Sequence, residues 1–103
     1  MVRITSSIAA AWLSDVPEEK RFWSRDGRYL KNLNELKEAL ELMTDDTFRY
    51  HSNETKTDFS NWVKDVIGDE KLSRDLLKCT TQAQAARTVA DRISWLDNKA
   101  KAI

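Results

Sequence analysis

The chain has 103 residues, a length that suits one domain with a single small hydrophobic core. Hydrophobic residues make up 41% and charged residues 33%, a balance typical of a globular rather than a disordered protein. Seventeen basic residues offset seventeen acidic ones, so no overall field draws the chain to nucleic acid or to an anionic membrane. The sequence has only two glycines and one proline, which favours helices.

The sequence indicates neither a membrane span nor a disulfide. Its longest apolar stretch, Ile8 to Leu13, is far shorter than the roughly 20 residues of a membrane-spanning helix, and it lacks the flanks of a signal peptide. Cys79 is the only cysteine and cannot form an intramolecular disulfide. We therefore expect a protein of a reducing compartment, most simply the cytoplasm, without membrane contact.

Residues 1–19 allow two interpretations. Ser6 or Ser7 is a suitable N-cap for a short helix over Ile8 to Leu13, which Pro17 would end. Alternatively, the segment is an arm that docks Trp12 onto the rest of the domain.

The segment RFWSRDGRYL (21–30) predicts an aromatic β-hairpin. Asp26-Gly27 lies between the apolar pairs Phe22-Trp23 and Tyr29-Leu30, and Asp-Gly supplies the positive φ angles of a tight turn. Because a two-stranded ribbon is marginal alone, we expect it to pack on helices.

The segment NLNELKEALELM (32–43) is the clearest helix. Asn32 is a favourable N-cap, and Glu35 lies at the capping-box position three residues later. Helical spacing predicts one buried face, formed by Leu33, Leu36, Leu40 and Met43. A shorter helix follows with Thr44 or Asp45 as its cap, and it leads into a polar loop ordered in part by its own side chains.

The segment DFSNWVKDVIG (58–68) predicts another amphipathic helix, with Asp58 as N-cap and Gly68 as the left-handed residue that ends it. Its apolar stripe recurs at helical spacing and comprises Phe59, Trp62, Val63, Val66 and Ile67. Asp69 begins the next helix, which runs to about Lys78.

The C-terminal part predicts one long helix capped by Thr80 or Thr81. Its apolar seam recurs at three- and four-residue steps and comprises Ala86, Val89 or Ala90, Ile93, Leu96, Ala100 and Ile103. Because this seam is longer than a small domain can cover, self-association through the helix is expected.

Together these elements predict a mainly α, single small domain over 1–103, with four to five helices and a short aromatic β-hairpin near residues 22–30. The predicted core comprises Phe22, Tyr29, Leu33, Leu36, Leu40, Met43, Phe48, Phe59, Trp62, Val63, Val66, Ile67, Leu72, Leu76, Val89 and Ile93.

An ordered series of motifs runs from Phe22 to Ile93. It comprises an aromatic run with an Asp-Gly turn, a Leu-rich helix ending in Met, Thr-Phe-x-x-His, and Asp-Phe-x-x-Trp-Val-x-Asp-Val-Ile-Gly-Asp before a Leu-containing helix. The residues that form it are Phe22, Asp26, Gly27, Leu33, Leu36, Leu40, Met43, Thr47, Phe48, His51, Asp58, Phe59, Trp62, Val63, Asp65, Val66, Ile67, Gly68, Asp69 and Leu72. This series resembles an uncharacterised family of small, mainly archaeal helical domains. The resemblance implies an appended or stand-alone helical module with no assigned activity, and Ser52 and Ser73 depart from its apolar residues.

The only histidine, His51, is the first candidate for a polar site, with Asp58 and Asp65 as the available carboxylates. His51 follows Phe48 by three residues and therefore lies on the same helix face. A catalytic base needs an oriented second group within hydrogen-bond distance, and a cap already explains Asp58. We therefore favour a structural histidine bonded to a carbonyl or an aspartate across the loop, and we predict no catalytic residue.

A metal site is weakly indicated. Its candidate ligands would be His51, Glu54, Asp58 and Asp65, which lack the repeated His or Cys spacing of zinc sites. No Gly-rich phosphate loop, nucleophile elbow or Cys-x-x-Cys motif occurs in the sequence. We expect no metal and no cofactor, and we interpret Cys79 as core filler.

Nucleic acid binding is the alternative function. Residues 70–101 have the helix, short turn, helix outline of a helix-turn-helix unit. The second helix carries Gln82, Gln84, Arg87 and Arg92, and the hairpin adds Arg21, Arg25, Arg28 and Lys31 as candidate phosphate contacts. Acidic residues interrupt the basic surface that groove-reading proteins usually present, namely Asp75, Asp91 and Asp97.

Protein binding is the leading hypothesis. The chain has four tryptophans, and a core of this size needs Trp62 and about one other. The others then become interface anchors, and the candidate interface residues are Trp12, Trp23, Trp95, Ala100 and Ile103. The competing interpretation is that all four tryptophans fill the core. We predict a non-catalytic protein-interaction or regulatory module that binds a protein partner or itself.

Overall fold

The computed structural model describes residues 3–101, which form six α-helices and one antiparallel two-stranded hairpin. The elements are α1 (Ser6–Leu13), β1 (Phe22–Trp23), β2 (Tyr29–Leu30), α2 (Leu33–Leu42), α3 (Asp45–His51), α4 (Asp58–Trp62), α5 (Glu70–Leu77) and α6 (Gln82–Lys101). A 3₁₀ turn, Glu18–Lys20, precedes β1, and a π-helical turn, Val63–Ile67, continues α4. The predicted mainly α fold with an aromatic hairpin is confirmed, with more helices than the four to five expected.

Side-chain caps begin several helices where the sequence indicates them. Asn32 Oδ1 accepts a hydrogen bond from the Glu35 N–H at 2.8 Å, and Glu35 Oε1 accepts one from the Lys31 N–H at 2.9 Å. Thr44 caps α3, and Asp69 caps α5. These caps satisfy N–H groups that have no partner within their own helix.

Two predicted caps are wrong. The cap of α1 is Thr5, whose hydroxyl accepts a hydrogen bond from the Ile8 N–H at 3.2 Å, rather than Ser6 or Ser7. Asp58 is the first residue of α4 rather than its cap, and Thr57 precedes the helix without a side-chain capping bond. The carboxylate of Asp58 is therefore available for a tertiary contact.

The hairpin turn also differs from the prediction. Gly27 has a φ of 97°, and Asp26 does not share this left-handed conformation. The Gly27 N–H donates to the Ser24 carbonyl at 2.9 Å, and the Ser24 N–H donates to the Arg28 carbonyl at 2.8 Å. The loop therefore has three residues, a hairpin class that needs glycine only at its last position.

The hydrophobic core largely matches the predicted residues, with Tyr29 as the main exception. Phe22 is paired with Leu30 and Trp23 with Tyr29, so each pair faces one side of the ribbon. Phe22 and Leu30 are buried, whereas Tyr29 is 64% exposed. Val66 and Ile93 pack against the core but are only partly buried. Core residues that the prediction omitted are Ala9, Leu30, Ala39, Ala85 and Leu96.

Between Ala86 and Ala100, the residues of the apolar seam of α6 are buried or half-buried within the chain. Helix α6 packs against both α1 and α2, and its Leu96 has no exposed surface. Trp12 of α1 lies over Gly68, where an added Cβ would come within 3.3 Å of the indole Nε1. Residues 1–19 thus contain both the short helix and the docked tryptophan that the sequence offered as alternatives.

The structure shows how the two serines that depart from the resemblance are accommodated. Ser73 is buried on α5, where its hydroxyl bonds Ser60 at 2.7 Å and donates to the Ser60 carbonyl at 3.0 Å. Ser52 ends α3 and forms a bridge to Thr57 that closes the polar loop. Within residues 3–101, no helix is both long enough and apolar enough to cross a membrane.

Candidate functional site: the hairpin face

His51 is buried and uses both ring nitrogens within the protein. Its Nδ1 lies 2.9 Å from Asp58 Oδ2, and its Nε2 accepts a hydrogen bond from the Arg25 N–H at 3.0 Å. Because Nε2 is the acceptor, the proton resides on Nδ1 and is donated to the carboxylate. The bond to an aspartate across the loop, one of the partners expected from sequence, is present, and the second partner is the hairpin backbone.

Trp62 holds the other end of the hairpin. Its indole N–H donates to the Lys20 carbonyl at 2.8 Å, just before β1 begins. The Phe22 ring lies between these two anchors, with ring centroids 5.1 Å from His51 and 5.9 Å from Trp62. The hairpin is therefore held on the helical body by an aromatic cluster and by one hydrogen bond at each end of its first strand.

The outer side of this hairpin carries two exposed aromatic rings. Trp23 is 47% exposed and Tyr29 is 64% exposed, and they form one cross-strand pair. Residues directly opposite each other on an antiparallel pair have adjacent side chains. The two side chains therefore leave the same side of the ribbon, the side away from Phe22 and Leu30.

Tyr50 of α3 extends this surface and brings two cations to it. Its ring centroid lies 6.4 Å from that of Trp23. The Lys56 Nζ is 3.8 Å and the Arg25 Cζ is 4.7 Å from the Tyr50 centroid, both within cation–π range. We use the term hairpin face for the surface formed by Arg21, Trp23, Arg25, Tyr29, Tyr50 and Lys56.

The polar loop after α3 positions Lys56. Asn53 Oδ1 accepts hydrogen bonds from the N–H groups of Thr55 at 2.9 Å and Lys56 at 3.1 Å. The Lys56 ammonium also lies 3.3 Å from Asp58 Oδ2, the oxygen that His51 contacts. Sequence reasoning missed Tyr50 and Lys56, although an aromatic residue next to the only histidine was a usable signal.

The cations of the hairpin region differ in their pairing. Arg28 lies 3.8 Å from Asp26, and Lys31 lies 3.8 Å from Asp15. Within residues 3–101, Arg21 and Arg25 make no ion pair with a carboxylate. Two arginines on either side of Trp23 are therefore available for an external anion.

The other polar candidate, Asp65, lies apart from this arrangement. It is exposed on the π-helical turn, and the His51 ring is already bonded to Arg25 and Asp58. In the described part of the chain, no group of three His, Cys, Asp or Glu side chains is placed to hold a metal ion.

The structure separates the predicted interface residues. Trp23 and Trp95 are about half exposed, whereas Trp12 and Ala100 are partly buried against the core. Ile103 lies outside the described residues. Only Trp23 of this set has an exposed aromatic neighbour on a paired strand.

Arg92 is not the surface cation that the sequence indicated. It is 8% exposed, and its Nε and Nη2 donate to the buried Asp69 carboxylate at 2.7 and 2.9 Å. The guanidinium also lies 4.7 Å from the centre of the Trp95 ring. A bidentate, buried pair of this kind connects α6 to the start of α5.

Other polar side chains of the helix-turn-helix hypothesis also have intramolecular partners. The Gln82 amide donates to the carbonyls of Leu40 and Met43 at the end of α2. Gln84 Oε1 accepts from the Thr80 N–H at 2.9 Å. Arg87 remains exposed, with Asp91 one turn away at 4.0 Å.

A separate groove of about 770 Å³ lies between the polar loop and the start of α6. Its apolar lining includes Phe48, Phe59, Leu76 and Ala85, and hydroxyl-bearing side chains surround it. Leu77, at its border, is 56% exposed. The lining of this groove includes Glu54, which makes no ion pair within residues 3–101, but its aromatic residues, Phe48 and Phe59, are buried.

Comparison with family models, curated proteins and solved structures finds no match to this chain.

Proposed function

We propose that this chain is a non-catalytic protein-interaction or regulatory module of the cytoplasm that binds a protein partner through the hairpin face. The observation that carries the proposal is the exposure of the Trp23–Tyr29 cross-strand pair. These two large aromatic side chains lie at the surface although the small core could have buried them. Exposed aromatic anchors with adjacent arginine are the residue types most enriched at binding hot spots.

The anchoring of the hairpin supports binding rather than chemistry. His51 and Trp62 hold β1 at both ends, so the exposed rings do not have to be ordered when a partner binds. Preorganisation of this kind lowers the entropic cost of association. Both nitrogens of His51 already have partners, so the imidazole has no free position from which to accept a substrate proton.

Self-association through α6 and nucleic acid binding by residues 70–101 have less support. Within the described residues, the α6 seam packs against α1 and α2, which reduces the exposed apolar surface that favoured self-association. In the helix-turn-helix hypothesis, Gln82, Gln84 and Arg92 have intramolecular partners. Groove readers need such side chains free to contact bases and phosphates.

A comparison of three immobilised chains tests the proposal: the unaltered chain, the Trp23→Ser/Tyr29→Ser variant, and the Trp95→Ser variant. Trp95 is 45% exposed and lies on α6, so it provides a matched control at an exposed indole outside the hairpin face. The unaltered chain and the Trp95→Ser control should retain the same proteins from a native lysate. We expect the double variant to lose these proteins.

Circular dichroism and a urea unfolding curve would establish that the double variant is folded. If a folded double variant retains the same proteins in the same amounts as the unaltered chain, the proposal is wrong.

A further inference from the structure

We infer that the partner segment is an acidic peptide that places an apolar residue on Trp23 and carboxylates, one on each side of that residue, on Arg21 and Arg25. This inference rests on the proposed function and specifies its ligand. It follows from the positions of the unpaired arginines beside Trp23, from the acids at the border of the hairpin face, and from the surroundings of Tyr50.

Position is the first step. Arg21 precedes β1 in extended backbone, and it lines one concavity with Trp23, Tyr50 and Lys56. Arg25 lies in the loop after β1, and its guanidinium packs on Tyr50, whose ring in turn meets Trp23. The two arginines therefore border the indole, one before it and one after it in the chain.

Charge is the second step. Arg21 and Arg25 have no carboxylate partner within the described residues, whereas the ammonium of Lys56 already contacts Asp58. A guanidinium binds a carboxylate through two parallel hydrogen bonds. A peptide with an acidic residue on each side of an apolar one can bond both guanidiniums while the apolar residue meets Trp23.

The borders of the hairpin face favour a peptide over a nucleic acid strand. Glu18 and Glu19 lie just before β1, and Asp26 lies in the turn. A polyanion with regularly spaced phosphates would meet these acids, whereas a peptide can place neutral residues there. Single-strand binders stack successive bases on successive aromatic rings, but the Tyr50 ring already packs against Lys56 and Arg25.

A second copy of the chain is also a poor match. Its densest acidic segment, from Glu35 to Asp46, lies almost entirely in α2 and α3. Several of its carboxylates already have partners within the chain, namely Glu35, Glu41 and Asp45. A segment of another protein with unpaired carboxylates is the better match.

Nuclear magnetic resonance titration of the ¹⁵N-labelled chain tests this inference. The probe is the acetylated and amidated peptide ESLSE, with QSLSQ as the uncharged control and SEELS as the control of the same composition but different spacing. A six-residue oligothymidylate tests nucleic acid. We expect ESLSE to shift the Trp23 indole N–H and the amides of residues 21–29, with at least about tenfold weaker binding of QSLSQ and SEELS.

Variants give a second readout. Arg21→Gln/Arg25→Gln should remove the ESLSE shifts, whereas Arg28→Gln, which alters an arginine already beside Asp26, should keep them. The inference is wrong if about 5 mM ESLSE shifts nothing, if SEELS binds equally, if oligothymidylate binds more tightly, or if addition of unlabelled chain produces the same shifts. If the proteins retained from the lysate still depend on Trp23 and Tyr29, the proposed function stands, and only the assignment of the ligand as an acidic peptide is wrong.

Discussion

The backbone N–H of Arg25 donates a hydrogen bond to the Nε2 of His51 at 3.0 Å, across 26 positions of the chain. The opposite ring nitrogen meets Asp58 at the start of α4. One neutral imidazole thus connects the hairpin loop to two helices, and it does so with almost no exposure to solvent. The position of the exposed Trp23 and Tyr29 rings depends on this connection.

Replacement of His51 by Ala should therefore loosen the hairpin as well as lower stability. It deletes a buried ring and leaves the Arg25 N–H without its acceptor. We expect a loss of about 2 to 4 kcal/mol in the free energy of unfolding, measured by urea denaturation. In the variant, amide hydrogen exchange at Arg25 should be faster than in the unaltered chain. The increase should exceed the increase that the loss of global stability alone would cause. Unchanged relative protection of that amide would contradict this role for His51.

Trp62 combines packing with a single hydrogen bond, and two substitutions separate the contributions. Trp62→Ala removes a side chain that is 7% exposed and should cost about 3 to 5 kcal/mol, enough to unfold most domains of ordinary stability. Trp62→Phe keeps an aromatic ring but loses the bond to the Lys20 carbonyl, and we expect a cost of about 1 to 2 kcal/mol. Thermal and urea unfolding would measure both. A folded, cooperative Ala variant of unchanged stability would exclude Trp62 as a central core residue.

Local signals were sufficient to predict most of this fold. The Asn32 cap, its Glu35 partner and the left-handed Gly68 depend on residues within a few positions of each other, and the structure contains all three. The same holds for the apolar spacing of α2 and α5, whose predicted core leucines are buried. Hydrophobic periodicity and helix capping depend on residues within one or two helical turns of each other, so a single sequence is enough to detect them.

The errors concern contacts between distant segments. Tyr29 and Leu30 are both apolar enough for a core, and only the register with β1 decides which one faces it. Arg92 has the pattern of a solvent-facing cation until α5 brings Asp69 beside it. Likewise, the exposure of Tyr50 and its contact with Lys56 depend on the packing of the hairpin on α3. The sequence indicated Arg21, Trp23 and Arg25 as binding residues of the hairpin face. It did not indicate Tyr50, Lys56 or the exposure of Tyr29.

The buried Asp69–Arg92 pair should be sensitive to removal of either partner. Asp69 has no exposed surface, so Arg92→Met leaves a carboxylate without its counter-ion, although the Leu72 N–H still bonds it. We expect a loss of about 3 to 5 kcal/mol, measured by urea denaturation. Asp69→Asn retains a cap for α5 but removes the charge, and the double variant should recover part of the loss.

Arg87→Met is the matched control on the same helix. The Arg87 side chain is 85% exposed and its nearest carboxylate, Asp91, is 4.0 Å away, so the variant should stay within about 0.5 kcal/mol of the unaltered chain. Equal effects of Arg87→Met and Arg92→Met would show that the Asp69 pair has no special role. Additive effects in the Asp69→Asn/Arg92→Met double variant would show that the two side chains do not interact.

Substitution of the two glycines by Ala separates the cost of crowding the contact between α1 and the helical body from the cost of backbone strain. Gly27 and Gly68 have nearly the same φ, 97° and 99°, so replacement by Ala costs each a similar strain, about 1 to 2 kcal/mol. An added Cβ at Gly27 meets nothing within 4 Å, whereas at Gly68 it comes within 3.3 Å of Trp12 Nε1. Gly68→Ala should therefore destabilise by about 1 kcal/mol more than Gly27→Ala, since the indole must shift. The additional destabilisation should disappear when Trp12 is also replaced by Ala. If the two glycine substitutions have equal effects in the otherwise unaltered chain, Trp12 does not pack tightly against Gly68.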